Sequence, residues 1–201
     1  MTPARVARAA IVAAAVVLAS SPAHAHMNAN IGDFYQGLFQ PFLHAEFLLS
    51  ALAVALWSTQ LADRDGYVAC GLFALGVGIG SAVALWGVDG TASLWGPRLC
   101  MLVIGPLVAA RVRPPLVVVG SLVALAGLAQ GHAATASDSE AVARPVLWML
   151  GLALSAGLLG AYANLATERF RAFWVQVGVR VAGSWIAAIG LMVSALAARR
   201  G

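Results

Sequence analysis

The sequence predicts an all-α integral membrane protein, a bundle of about six transmembrane helices after a cleavable signal peptide. Three observations predict it. Hydrophobic residues make up 61% of the chain and the mean hydropathy is +0.87, more apolar area than a soluble domain can cover with polar surface. The apolar residues fall in stretches of roughly 20, the length at which a helix crosses a bilayer's hydrocarbon core. The chain opens on Arg5 and Arg8, an apolar stretch from Ala9 to Ala19, and then Ser20-Ser21-Pro22-Ala23-His24-Ala25, the pattern of a secretory signal.

Residues 1–25 are therefore read as a signal peptide, and cleavage after Ala25 would make His26 the new N-terminus. An uncleaved anchor is the alternative, although the apolar run is shorter than a bilayer span. Residues 26–201 form the transmembrane domain, with spans at about 42–62, 67–87, 95–112, 115–133, 145–166 and 173–197. The third is the shortest. Its strictly apolar part runs from Leu99 to Ala110 and contains Gly105-Pro106, a pair that interrupts helical hydrogen bonding unless neighbours compensate. Short or Gly/Pro-broken spans mark transport sites; a kinked helix buried in the bundle is the competing reading.

Small residues four apart, Gly76 with Gly80, Gly151 with Ser155, Ala156 with Gly160 and Gly183 with Ala187, predict close helix packing in lipid. Trp57, Trp86, Trp95, Trp148 and Trp174 fall near predicted span ends, as an interfacial belt requires, whereas Trp185 is deeper and is expected to pack. A cleaved signal leaves the mature N-terminus outside the cytoplasmic membrane. The inner connections then carry Arg64, Arg111, Arg113, Arg169 and Arg171, against Arg98, Arg144, Arg199 and Arg200 outside. Both termini fall outside in this reading.

The formal charge of +4 rests on scattered arginines, with no lysine and no basic stripe, so nucleic-acid binding is excluded as a class. Cys70 and Cys100 lie in apolar runs at no metal-ligand spacing and read as small hydrophobes. No nucleophile with a base and no pair of histidines four apart appears, so an enzyme is not expected. The lipid bilayer is the one partner that composition requires; the oligomeric state is left open.

The polar residues inside or beside the spans are the candidates for function. Gln40, His44 and Glu46 flank Pro41 at the outer end of the first span, and Gln130 and His132 flank Gly131 at the outer end of the fourth. Every histidine of the mature chain thus falls on the outer side, and imidazole with carboxylate suits nickel, cobalt, zinc or copper. The blander readings are a headgroup position for His44, a helix cap for His132 and a packed, protonated Glu46. On a regular helix, positions 40 and 44 share a face while 44 and 46 point about 200° apart, so His44 and Glu46 bind one ion only if Pro41 leaves the turn irregular. Arg180 is the second intramembrane charge. It lies about 10 Å in from the inner end of the last span, too far from Glu46 to pair, and is expected to bond to carbonyls or snorkel inward.

Three stretches carry a resemblance. They are "GDFYQGLFQPFLHAEFLLSALAVALW" from Gly32, "LAQGHAA" from Leu128 and "RVAGSWIAAIGLM" from Arg180. The chain resembles the HupE/UreJ family of membrane proteins, many of which are regarded as nickel or cobalt permeases with a cleaved signal and about six spans. The resemblance implies a permease of the cytoplasmic membrane that takes a divalent metal ion as substrate and needs no resident cofactor. Where the family has histidine before proline this chain has Gln40, and where it has Asp-His it has Glu46 and Phe47. Of the family's His-Gly-His-Ala-His run only His132 remains, with Gln130 and Ala134 at the other histidine positions. The carry-over is thus limited to Glu46 and His132, with Pro41 and Gly131 as shape-determining neighbours and Gln40 and Gln130 as polar stand-ins; His44 is not a family ligand position but is a candidate to replace a lost one, and Pro106, from the Gly105-Pro106 pair, is a helix-shaping residue outside the carry-over. A membrane scaffold or assembly factor that has lost the family's ligands is the alternative.

Overall fold

The computed structural model describes residues 32–87, 95–138, 142–169 and 173–199. The signal peptide and His26 lie outside these residues, as do Asp89, Glu140, Arg171 and Arg200. The described residues form seven helices and no strand: α1 (Asp33–Leu43), α2 (Ala45–Ser58), α3 (Asp63–Leu85), α4 (Gly96–Ala110), α5 (Leu116–Asp138), α6 (Pro145–Arg169) and α7 (Phe173–Ala198).

Proline sets several helix starts. Pro97 and Pro145 sit in first turns, where the missing N–H has no intrahelical partner to lose, and Pro115 stands immediately before α5. Four helices are long and apolar enough to cross a membrane: Arg64–Leu85, Leu116–Ser137, Pro145–Arg169 and Phe173–Ala198. The first and third expected spans take other forms. The first is divided at His44, where α1 and α2 meet at 84°, and the 14 residues of α2 reach only about 21 Å at 1.5 Å per residue. The third is α4, with 15 residues, or about 22 Å. Both fall short of a hydrocarbon core about 30 Å thick.

Gly105-Pro106 does not divide α4. Pro106 faces outward, while Gly105 lies against Ala187 of α7, where an added Cβ would come within 2.9 Å of the Ala187 nitrogen. The break falls instead three residues after Pro41, at His44, whose extended backbone (φ −121°, ψ 113°) ends one helix and begins the next. The face-sharing expected for Gln40 and His44 is lost for this reason: Gln40 is buried and His44 is exposed.

The parallel helices α3 and α5 are in close backbone contact. Gly76 and Gly80 approach Ala124 and Leu128, and Gly127 and Gly131 approach Phe73 and Val77. A Cβ on Gly131 would collide with the Val77 carbonyl, and one on Gly80 with the Leu128 carbonyl. In lipid, where helices gain no hydrophobic free energy by associating, such contact supplies dispersion energy that larger side chains would forbid. Helices α3 and α6 run antiparallel, with Gly66 against Asn164 and Gly160 against Cys70, and so do α4 and α7, with Gly190 against Met101 and Gly183 against Val108.

The tryptophans divide differently from expectation. Trp86, Trp95 and Trp174 are exposed near helix ends. Trp57 and Trp148 are buried, because each indole N–H has an internal acceptor: the Val112 carbonyl at 3.0 Å for Trp57 and Thr135 Oγ1 at 3.4 Å for Trp148. Trp185, expected to pack, is 66% exposed on the outer face of α7. Replacing Gly131 by Leu should force α3 and α5 apart. An overpacked interface costs about 1–3 kcal/mol or more, so the purified variant should unfold in detergent at a lower temperature than the unaltered protein, and an unchanged unfolding temperature would show that this contact does not hold the two helices.

Candidate functional site

Two polar clusters lie inside an otherwise apolar bundle, and α2 belongs to both. Ser50 and Ser58 are eight residues apart on α2, about 12 Å along its axis. Buried Val54 and Trp57 occupy the same side of the helix between them. With Phe73, Val77 and Leu152, they form a dry layer separating the clusters.

The first cluster joins α2 and α5 through Ser50 and Gln130, and Gln40 of α1 is buried at the same end of the bundle. Gln40 and Gln130 are each 1% exposed, and Ser50, His132 and Thr135 are also buried. The Ser50 hydroxyl donates to Gln130 Oε1 and also lies 3.0 Å from the Phe47 carbonyl. Gln130 Nε2 is buried with no acceptor among the described residues. One proton cannot serve two acceptors fully; with the Gln130 amide turned over, Nε2 would donate to Ser50, Ser50 to Phe47, and Oε1 would become the open group. Helix α5 continues to Asp138, so Gln130 and His132 sit more than a turn inside the helix rather than at its end, and His132 does not cap it. The approach of Gly131 to Val77 fixes this turn of α5 against α3.

Glu46 is engaged elsewhere. Its Oε2 accepts from Arg98 Nε at 3.0 Å and its Oε1 from Arg98 Nη2 at 3.2 Å, a two-pronged ion pair between α2 and the first turn of α4. The side chains are 34% and 20% exposed, respectively. The Arg98 guanidinium also lies over the Trp95 ring, 5.3 Å from its centre. Glu46 occupies the first turn of α2, where the helix dipole favours negative charge. His44 sits edge-on to the Phe47 ring at 5.4 Å. Glu46, His44 and His132 therefore do not form a ligand set, and among the described residues no group of three or more His, Cys, Asp or Glu side chains is placed to hold a metal ion.

The second cluster lies toward the opposite end. Asn164 Nδ2 donates to Ser58 Oγ at 2.8 Å, while the Ser58 hydroxyl donates to the Ala55 carbonyl at 2.7 Å. Cys70 Sγ is 3.2 Å from Ser58 Oγ. Nearby, Gln60 Nε2 donates to the Val108 carbonyl at 2.9 Å. Arg180, on the exposed side of α7, donates from Nε to the Ala109 carbonyl at 2.9 Å. Gln60, Trp57 and Arg180 thus supply donors to carbonyls at or just beyond the C-terminal turn of α4, groups that a helix leaves without internal partners.

Reasoning from sequence missed Arg98, Ser50, Ser58, Gln60 and Asn164. Arg98 had a usable signal: an opposite charge to Glu46 at the same predicted membrane end. Ser58 and Asn164 are polar residues within apolar spans, but nothing in their spacing announces that they meet.

This is a helical membrane protein whose interior holds two polar clusters separated by apolar packing. The chain belongs to the HupE/UreJ family, whose model, HupE / UreJ protein, matches residues 14–193. No curated protein and no solved structure matches the chain.

The Glu46–Arg98 pair gives a double-mutant test. Glu46→Gln and Arg98→Gln should each lower the unfolding temperature, while the double variant loses less than their sum. The coupling should be on the order of 1 kcal/mol, as for a partly exposed pair, and additive losses would remove the pair from the account of stability.

Proposed function

We propose that the protein is a secondary permease of the cytoplasmic membrane for a divalent transition-metal cation, nickel or cobalt by family resemblance. The observation that carries this reading is the burial of Gln40, Ser50, Gln130 and His132 within an apolar membrane bundle. Removing polar groups from water is costly, and an ionisable side chain such as His132 inside a membrane bundle ordinarily faces a partner or a substrate path. A carrier also needs ligands weak enough to release the ion. One imidazole with amide and hydroxyl oxygens is a weaker set for a borderline metal than several imidazoles.

Glu46 then serves at the mouth of the path. Its carboxylate stands one helical turn before Ser50, and Arg98 occupies it; an arriving cation would exchange with the guanidinium and pass to His132. The dry layer of Val54, Trp57 and Phe73 must open for the ion to reach the Ser58–Asn164 end. A membrane potential contributes about 2.3 kcal/mol per charge per 100 mV, hence about 4.6 kcal/mol for a divalent cation moving inward. No covalent step and no nucleotide are required.

We place the Arg111 end of the bundle in the cytoplasm. Arg64, Arg111, Arg113 and Arg169 lie at that end, against Arg98, Arg144 and Arg199 among the described residues at the other, a modest inward bias of positive charge. A reporter joined after Gly201 should read outside, and a cytoplasmic signal would reverse the placement.

The Glu46–Arg98 pair also favours a second reading, a scaffold that keeps the helix packing without transport, because it commits the Glu46 carboxylate to structure. Uptake of radiolabelled nickel and cobalt by cells expressing equal amounts of each variant separates the two. A permease should lose at least about tenfold of its uptake in His132→Ala, the size of one lost ligand interaction, and should also lose uptake in Glu46→Ala. Uptake no greater than in empty cells, for the unaltered chain, would favour the scaffold.

A further inference from the structure

At the Arg111 end, a cavity of about 350 Å³ lies among α2, α6, α7 and the segment following α4, with Gln60, Arg111, Arg113, Thr167 and Glu168 in its wall. Three features point to an occupant. The first is Gln60. Its Nε2 is committed to the Val108 carbonyl, which fixes the amide's orientation, and its buried Oε1 has no donor among the described residues. Buried acceptors are ordinarily satisfied, so this one is poised for a ligand N–H.

The second is the backbone of Arg111, at φ 56° and ψ 42°. The Val112 N–H reaches the Leu107 carbonyl and the Arg111 N–H the Val108 carbonyl, the paired bonds of a helix end whose left-handed residue is usually glycine. Arginine gains nothing locally from this conformation, so its presence is better explained by where it carries the guanidinium. The third is the charge set. Two guanidiniums and one carboxylate line the same space, and neither arginine lies within ion-pair distance of Glu168.

We propose that this cavity binds a phosphate ester bearing a primary ammonium, the headgroup of phosphatidylethanolamine. The phosphate lies between Arg111 and Arg113, whose planar guanidiniums match its oxygens, and the ammonium donates to the Glu168 carboxylate and to Gln60 Oε1. A simple anion would meet Glu168, a simple cation would meet two arginines, and a choline group has no N–H for Gln60. A lipid is favoured as the source because Val175 and Val179 give the cavity an apolar wall and the adjoining face of α7 exposes Trp174 and Val177, side chains suited to the membrane interface.

The test uses the full chain purified in detergent, with lipid binding read by native mass spectrometry and by the shift in unfolding temperature. Phosphatidylethanolamine should bind and stabilise more than phosphatidylcholine or phosphatidylglycerol. Arg111→Gly should keep or raise the lipid-free unfolding temperature, because glycine suits that backbone, while weakening phosphatidylethanolamine binding by about tenfold. Glu168→Gln should abolish the preference over phosphatidylglycerol. Equal binding of the ethanolamine and choline lipids, or an undiminished preference in both variants, would overturn the proposal. Water-soluble glycerophosphoethanolamine binding as tightly as the lipid would overturn the assignment to a lipid.

Discussion

Helices α3 and α5 approach each other so closely that glycine alone fits at Gly80 and Gly131, and the interior is arranged around that contact. Because the two helices run parallel, α4 must cross the membrane region between them in sequence, and its short length leaves its ends within reach of side chains from α2 and α7. The same contact fixes the rotation of α5. With Gly131 held against Val77, its neighbours Gln130 and His132 are directed into the bundle rather than toward lipid.

Lipid offers no water to satisfy what this arrangement buries, so polar groups must satisfy one another or hold a ligand. Most do the former. Ser50 meets Gln130, Asn164 meets Ser58, and the carbonyls near the end of α4 receive Gln60, Trp57 and Arg180. The Gln130 amide, whose oxygen is the open group when the amide is turned over, and the amide oxygen of Gln60 stand at opposite ends of the apolar layer without protein partners. These are the positions where the reading as a permease and the reading of a headgroup site respectively place their ligands. The two ends therefore differ in chemistry: an interior bearing amides, a hydroxyl and an imidazole at one, and a cavity lined by Arg111, Arg113 and Glu168 at the other.

The pair between Glu46 and Arg98 links these considerations. As a structural contact it ties the start of α2 to the start of α4, the two helices too short to span the hydrocarbon alone. As part of a transport path it holds the Glu46 carboxylate closed. Both roles rest on the same geometry, and they differ in what happens when a cation arrives.

Composition and apolar length were enough to read a helical membrane protein, because those properties belong to each segment by itself. The family was legible from three local stretches, and Arg180 from its charge within an apolar run. Pairing was not legible. Whether Glu46 faces His132 or Arg98 depends on the 84° break at His44, and that break depends on how α1 docks against α6 through Gly37 and Gly151. Trp57 and Trp148 read as interfacial by their place in the sequence, yet are buried because carbonyl and hydroxyl acceptors from other helices meet their indoles. Sequence thus determined which segments leave water. Tertiary structure decided which polar groups inside those segments find each other, since that depends on helix rotation and depth, and these are set by backbone contacts between glycines far apart in the chain.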